Sequence, residues 1–310
     1  MLHEDSVPWR HAAISGWVLD PERKKMSKSL GNVVVPTPLI EEHTADAVRY
    51  WAASARLGAD TAVDEKVFRV GKRLATKLWN AGKFVLGQGA EIHPVDAELD
   101  SAFAVELRAL VDSATDCFAR FNHAQALAET ESFFWGRFTD TYLELAKARA
   151  RDEAPGAAAA RGSAVATLRL GLSVLLRLFA PFLPFVCEEV WSWCFAGETG
   201  CESIHRAPWP DAGELEGLAA PRDPSSFALA TECWRAILKA KSDAAVAAGR
   251  EVERLAIAAN GSMLEKLGPC LADVLAAARC RGHRLVARDA LEDGVFQVED
   301  AVFAERVQPA

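Results

Sequence analysis

Lys24-Lys25-Met26-Ser27-Lys28-Ser29-Leu30-Gly31-Asn32 places three lysines and two serines on a short segment with no acidic side chain among them. Ammonium groups act as mobile point charges toward phosphate oxygens, and serine hydroxyls and loop N–H groups add hydrogen bonds. Gly31 admits backbone conformations that a side chain forbids, so the segment can fold back over a ligand. By composition alone, most lysine-rich loops are solvated surface. The order of the residues raises this one above that background.

Working outward, residues 12–19 (Ala-Ala-Ile-Ser-Gly-Trp-Val-Leu) form a short apolar run of the kind that makes a buried strand. Asp20-Pro21-Glu22-Arg23 then reads as a connecting turn. From Thr37 the pattern is helical, and Pro38 suits a first turn. Leu39, Ile40, Ala47, Val48, Trp51 and Ala52 make its apolar face, around a break near His43-Thr44. Gly58-Ala59-Asp60 marks a loop. A helix over 64–86 follows, with Val67, Val70, Leu74, Leu78, Ala81 and Val85 as its buried stripe. Lys66, Arg69, Arg73 and Lys77 recur at the same steps on another face, a basic track suited to an RNA backbone.

Two more helices are expected over 96–121 and 123–151, as antiparallel neighbours. Phe118, Phe121, Phe133, Phe134, Trp135 and Phe138 load this pair with rings. Rings can stack on bases, but at helical spacing they are expected in the core. Ala154-Pro155-Gly156-Ala157 is a linker. The apolar helix over 161–195 should bend or break at Pro181 and Pro184. His205 and Arg206 have no nucleophile or carboxylate arranged around them as a triad requires, so they read as packing and capping residues. Past Pro221 the pattern gives a helix near 225–248, a strand over 251–257, a helix over 262–281 and strands at 284–288 and 294–299: a small α+β unit.

Half of the 310 residues are hydrophobic and a quarter charged, the balance of a globular protein. No run of about 18 apolar residues suggests a membrane span, and the first residues lack the pattern of a signal peptide. Seven cysteines without a CxxC pair argue for free thiols. Cys187, Cys194, Cys201 and His205 lack the tight ligand pairs of structural zinc sites, so no metal site is expected. The net charge of −8 divides unevenly. Residues 1–89 hold 13 lysines and arginines against 10 acids, and the rest hold 22 against 33. Positive potential is thus concentrated in the first third, and local charge governs phosphate contact more than the total does.

Lys25-Met26-Ser27-Lys28-Ser29, followed by Gly31-Asn32, resembles the KMSKS signature of class I aminoacyl-tRNA synthetases. Asp46-Ala47-Val48-Arg49-Tyr50-Trp51 resembles the segment after that signature in the valine, isoleucine and leucine enzymes. Lys72-Arg73-Leu74-Ala75-Thr76-Lys77-Leu78-Trp79-Asn80-Ala81 resembles the first anticodon-bundle helix of the valine enzymes. Ala180-Pro181-Phe182-Leu183-Pro184-Phe185 with Glu188-Glu189-Val190-Trp191 resembles the last bundle helix, and Ser203-Ile204-His205-Arg206-Ala207-Pro208-Trp209-Pro210 the stretch that closes it.

The resemblance implies a mainly α fold: an anticodon-binding helical bundle, preceded by the last strand and KMSKS loop of a Rossmann catalytic domain and followed by a small α+β subdomain. It divides the chain into a catalytic-domain remnant at 1–36, junction helices at 37–62, the anticodon-binding bundle at 63–212 and the α+β subdomain at 222–310. It implies ATP-dependent attachment of valine to its tRNA through valyl-adenylate, with Mg2+, in the cytoplasm; isoleucine is the second choice. Lys25 and Lys28 would be the catalytic phosphate-binding lysines, with Met26, Ser27 and Ser29 completing the ATP-binding loop. Lys66, Arg69, Arg73 and Lys77 would contact tRNA. The family's other ATP-binding signature, its amino acid pocket and its editing domain lie upstream of KMSKS and are not among these residues, so the chain alone is expected to be inactive in adenylation. The alternatives are a stand-alone tRNA-binding or interaction module and a truncated gene product. A monomer that binds no membrane is the default expectation.

Overall fold

The computed structural model describes residues 7–89 and 93–305. They divide into two compact units, one made of residues 7–83, 110–133 and 173–210, the other of 84–89, 93–109, 134–172 and 211–305. The fold is mainly helical, with a small three-stranded sheet near the C-terminal end.

In the first unit, strand β1 (Val18–Leu19) pairs in parallel with β2 (Thr61–Ala62). The expected buried strand over 12–19 is corrected here. Two of its residues are regular strand, and Ile14, Trp17 and Val18 are exposed. A partner segment does exist, over 57–63, but it pairs irregularly: Gly58 N–H donates to Ile14 O, Trp17 N–H to the Asp60 carboxylate and Thr61 N–H to Trp17 O. One such partner covers too little of the run to bury it.

Helices α1 (Pro36–His43) and α2 (Ala45–Ser54) meet at Thr44, whose φ of 87° makes the break that the sequence placed at 43–44. Their buried face differs from the expected one. Ile40 and Ala52 are exposed, while His43, Asp46 and Tyr50 are buried with Ala47. Each polar group has a packing reason. His43 stacks on Phe68 at 5.5 Å, and Tyr50 donates to Glu131 at 2.6 Å. The Asp46 carboxylate accepts from Phe185 N–H and Val186 N–H, the free amides that open α8 (Pro184–Ser192). Burial pushes the Asp46 carboxyl up despite those two amides.

Helix α3 (Glu65–Leu86) carries the expected stripe: Leu74, Leu78, Ala81 and Val85 are buried, and Val67 and Val70 half-buried. Gly71 lets α2 approach, since a Cβ there would lie 2.8 Å from the Tyr50 Cβ. Helices α4 (Glu98–Ala119) and α5 (His123–Phe133) follow. Beyond α5 the chain winds on as a π-helix over Phe134–Tyr142, in which the Thr141 hydroxyl donates to the carbonyl of Gly136 five residues back. It returns to α geometry in α6 (Leu143–Ala150). Contacts of Ser113 with Glu129, Glu106 with Arg137 and Asp100 with Arg149 run in opposite directions along the two helical stretches, so they are antiparallel. Of the six rings read as core, Phe133, Phe134 and Phe138 are buried, Phe118 and Trp135 are half-buried, and Phe121 is exposed.

Helix α7 (Ala158–Phe179) ends before Pro181, and α8 begins at Pro184, as the two prolines require. By length and composition α7 is apolar enough to cross a membrane, but 83% of its most apolar window is buried, as in the core helix of a globular protein. The short α9 (Phe195–Thr199) follows. Glu188 then accepts from the Ser203 hydroxyl and Ile204 N–H, and Ser203 caps the turn Ile204–Arg206. The capping thus falls to Ser203, and the expectation for His205 and Arg206 is corrected: both are exposed, and His205 lies 3.9 Å from the Glu188 carboxylate.

In the second unit, Phe103 stacks on Tyr142 with centroids 4.1 Å apart and meets Phe227 edge-on at 5.4 Å. Such pairs add about 0.5–1.5 kcal/mol beyond the area they bury. Helix α10 (Ser226–Asp243) stops five residues short of its expected end. Strand β3 (Val252–Ala259) is central, flanked by parallel β4 (His283–Ala287) and antiparallel β5 (Gln297–Phe303). The expected helix over 262–281 is two, α11 (Gly261–Leu267) and α12 (Leu271–Ala278), with a 3-10 turn at Gly268–Cys270 where Pro269 removes an amide donor. All seven cysteines are free thiols.

Candidate functional site

The lysine–serine loop is shaped by two residues that flank it. Asp20 N–H donates to Lys24 O at 2.9 Å, and its carboxylate accepts from Lys24 N–H at 2.7 Å and from the Asn32 amide at 2.8 Å. These bonds hold the Asp20 carboxyl below its ordinary value, the backbone amide of Lys24 contributing most and Asn32 next. Asn32 in turn accepts from Ser27 N–H at 2.9 Å and donates to Lys25 O at 3.2 Å. One side chain therefore ties both ends of the loop to Asp20. Met26 lies beneath, its sulfur 3.2 Å from Val34 N–H.

Between these anchors Lys28–Leu30 makes one 3-10 turn, closed by Gly31 at φ 66°, whose N–H reaches Lys28 O. A side chain would be strained in that left-handed conformation. The Ser27 and Ser29 hydroxyls lie 2.7 Å apart, and Lys28 and Ser29 are exposed. Lys25 is drawn aside, its ammonium 4.0 Å over the Trp17 ring. A cation–π contact at an exposed site contributes about 0.5–1 kcal/mol, little enough for a phosphate to displace it. The turn thus presents a cation and two hydroxyls on a pre-shaped backbone, with a second cation within the same loop.

The basic track lies on α3 as its spacing requires. Lys66, Arg69 and Arg73 are exposed and Lys77 is half-buried. Arg69 pairs with Glu65 at 2.9 Å, and the intervening Lys72 donates to Glu42 O at 3.0 Å. Sequence reasoning missed Asp20, Asn32 and Trp17 as shapers of the loop. Asp20-Pro21 carried a turn signal, and Asn32 beside a glycine another, but neither indicates a bond spanning twelve residues.

Residues 1–64 match the family model described as tRNA synthetases class I (I, L, M and V), and residues 100–257 match the anticodon-binding domain of tRNA ligase. The valine–tRNA ligase of Thermobifida fusca (strain YX) is 48% identical over 284 residues, 90% of this chain and 31% of that protein. The valine–tRNA ligase of Bifidobacterium longum (strain NCC 2705) is 40% identical over 331 residues, 99% of this chain and 36% of that protein. Among solved structures, a ternary complex of Agrobacterium radiobacter K84 agnB2 LeuRS with tRNA and LeuAMS aligns at TM-score 0.46 and 27% identity, over 64% of this chain and 24% of that one. The chain spans about a third of the length of the curated relatives it matches. It belongs to the class I tRNA synthetase family and carries the anticodon-binding domain of a tRNA ligase.

Proposed function

We propose that this chain is the KMSKS-loop and tRNA-side portion of a valine–tRNA ligase, which attaches valine to its tRNA through valyl-adenylate at the expense of ATP in the cytoplasm. The observation that carries the reading is the loop held by Asp20 and Asn32 with Lys28 at its surface. Lys28 and Lys25 bind the triphosphate, the Ser27 and Ser29 hydroxyls add hydrogen bonds, and Met26 anchors the turn from below. Fixed placement of these groups matters because adenylation depends on position and preorganised charge. Lys66, Arg69, Arg73 and Lys77 follow the tRNA backbone along α3. The division of labour runs from the catalytic segment at 1–36 through junction helices at 37–62 and the bundle at 63–212 to the subdomain at 222–310.

Mg2+ is implied by the family. Among the described residues no group of three or more His, Cys, Asp or Glu is placed to hold a metal ion, so the residues present do not fit a protein-held Mg2+. Exposure of Trp9 (63%), Ile14 (76%) and Trp17 (60%) supports a catalytic segment that packs on further parts of a catalytic domain.

Valine-dependent ATP–pyrophosphate exchange by the purified chain is expected to stay at background, because a single loop cannot hold both ATP and valine. Exchange above background would overturn this part of the reading. Neutralising Lys66, Arg69, Arg73 and Lys77 together is expected to weaken binding of a valine tRNA and to flatten its salt dependence by roughly three in log–log slope. An unchanged slope would remove these residues from the interface.

A further inference from the structure

The turn between α4 and α5 holds a conformation that its sequence does not favour. Asn122 N–H donates to Cys117 O at 2.8 Å and Phe121 N–H to Phe118 O at 3.0 Å, the paired bonds of a Schellman helix end. The residue at Phe121's position in that motif takes a left-handed backbone and is usually glycine. Here φ is 59° on a phenylalanine, a strained placement for a bulky side chain. Burial does not account for it, because Phe121 is 49% exposed. Strain held in a residue that packing does not require points to function.

The surroundings indicate what the ring meets. Arg56, Leu57, Arg120, Phe121, Asn122 and Gln125 line an open recess of about 560 Å³. His11 lies beside Phe121 with centroids 5.4 Å apart. Arg120 is paired with Asp116, while Arg56 is exposed with no ion pair among the described residues. An exposed ring offers a stacking face to a base, a guanidinium pairs with phosphate, and two amides read base edges.

We propose that the Arg56–Phe121–Asn122 recess binds an unpaired nucleotide of RNA, with the base stacked on Phe121, its phosphate on Arg56 and its edge against Asn122 and Gln125. This rests on the reading of the chain as a tRNA-binding portion of a ligase, and the site is separate from the lysine loop and the α3 track. Protein partners also favour exposed rings and arginines. Two amides and an exposed guanidinium around one ring favour the nucleotide.

The test is titration of the full chain with a fluorescent valine tRNA transcript, using unaltered protein, Phe121→Gly, Phe121→Trp and Arg56→Gln. Glycine suits the left-handed position, so Phe121→Gly should keep or raise the melting temperature while weakening binding about tenfold. Phe121→Trp should bind like the unaltered chain, and Arg56→Gln should lower the salt slope by about one. A Phe121→Gly chain that binds tRNA as before overturns the site and leaves the ligase reading standing. So does one that loses melting temperature in place of affinity. No binding by the unaltered chain overturns both.

Discussion

Replacing Arg149 by methionine is expected to destabilise the second unit by about 3–5 kcal/mol, the cost of breaking a buried ion pair from one side. The guanidinium uses all five donors. It forks onto Asp100 with two bonds of 2.7 Å, reaches Asp273 at 3.0 and 3.2 Å, and donates to Ala160 O at 3.1 Å. Asp100 is fully buried and also accepts from the Tyr142 and Ser163 hydroxyls, each at 2.7 Å. The methionine variant would leave Asp100 with two neutral donors and Asp273 with none of its guanidinium bonds. Burial alone would lower the Arg149 pKa, but the Asp100 hydrogen bonds and charge outweigh it and hold it up. The same burial raises the Asp273 carboxyl despite its arginine partner. The network ties α4, α6, the start of α7 and α12 at one point. Urea titration followed by circular dichroism checks the prediction. A shift of under about 1 kcal/mol would show that the network contributes no more than a surface pair.

The second large effect is expected at Lys241. Its side chain is fully buried on α10, and the ammonium donates at 2.7 Å to each of Ala248 O, Arg250 O and Ala278 O. Burial lowers its pKa from the ordinary lysine value, and Arg279 acts in the same direction. Three carbonyl acceptors nevertheless require three N–H donors, which only the charged form supplies. Lys241→Met keeps the aliphatic stem and strands the buried Ala278 carbonyl, at about 1–3 kcal/mol, while water can reach those of exposed Ala248 and half-buried Arg250. The loss should total about 1–3 kcal/mol and appear as faster amide exchange at the start of β3 and the end of α12, beside which these carbonyls lie. Unchanged exchange there would mean that water replaces the ammonium without loss.

Much of this architecture is legible from short-range pattern. The stripe on α3, the break at 43–44 and the interruption at Pro181 and Pro184 are local statements about period and backbone, and local rules fix them. The lysine–serine loop is legible as a distinct basic turn because composition and residue order sit within nine positions. What the sequence concealed depends on distant partners. Nothing near Asp100 announces Arg149 or Asp273, and Lys241 in a helical period looks like one more surface lysine. The apolar run at 12–19 looked buried because periodicity reports hydrophobicity without reporting what lies opposite. Spacing puts Phe121 with the core rings, but the helix ends two residues earlier and the turn carries the ring outward.

The most direct test of the whole account is to compare binding of the purified chain to two transcripts: a valine tRNA and the same tRNA with an altered anticodon. Near physiological salt the account predicts weaker binding to the altered transcript, and for both a steep loss of affinity as salt rises. Equal affinity for the two, or no binding to either, would contradict the assignment of this chain to the tRNA side of a valine–tRNA ligase.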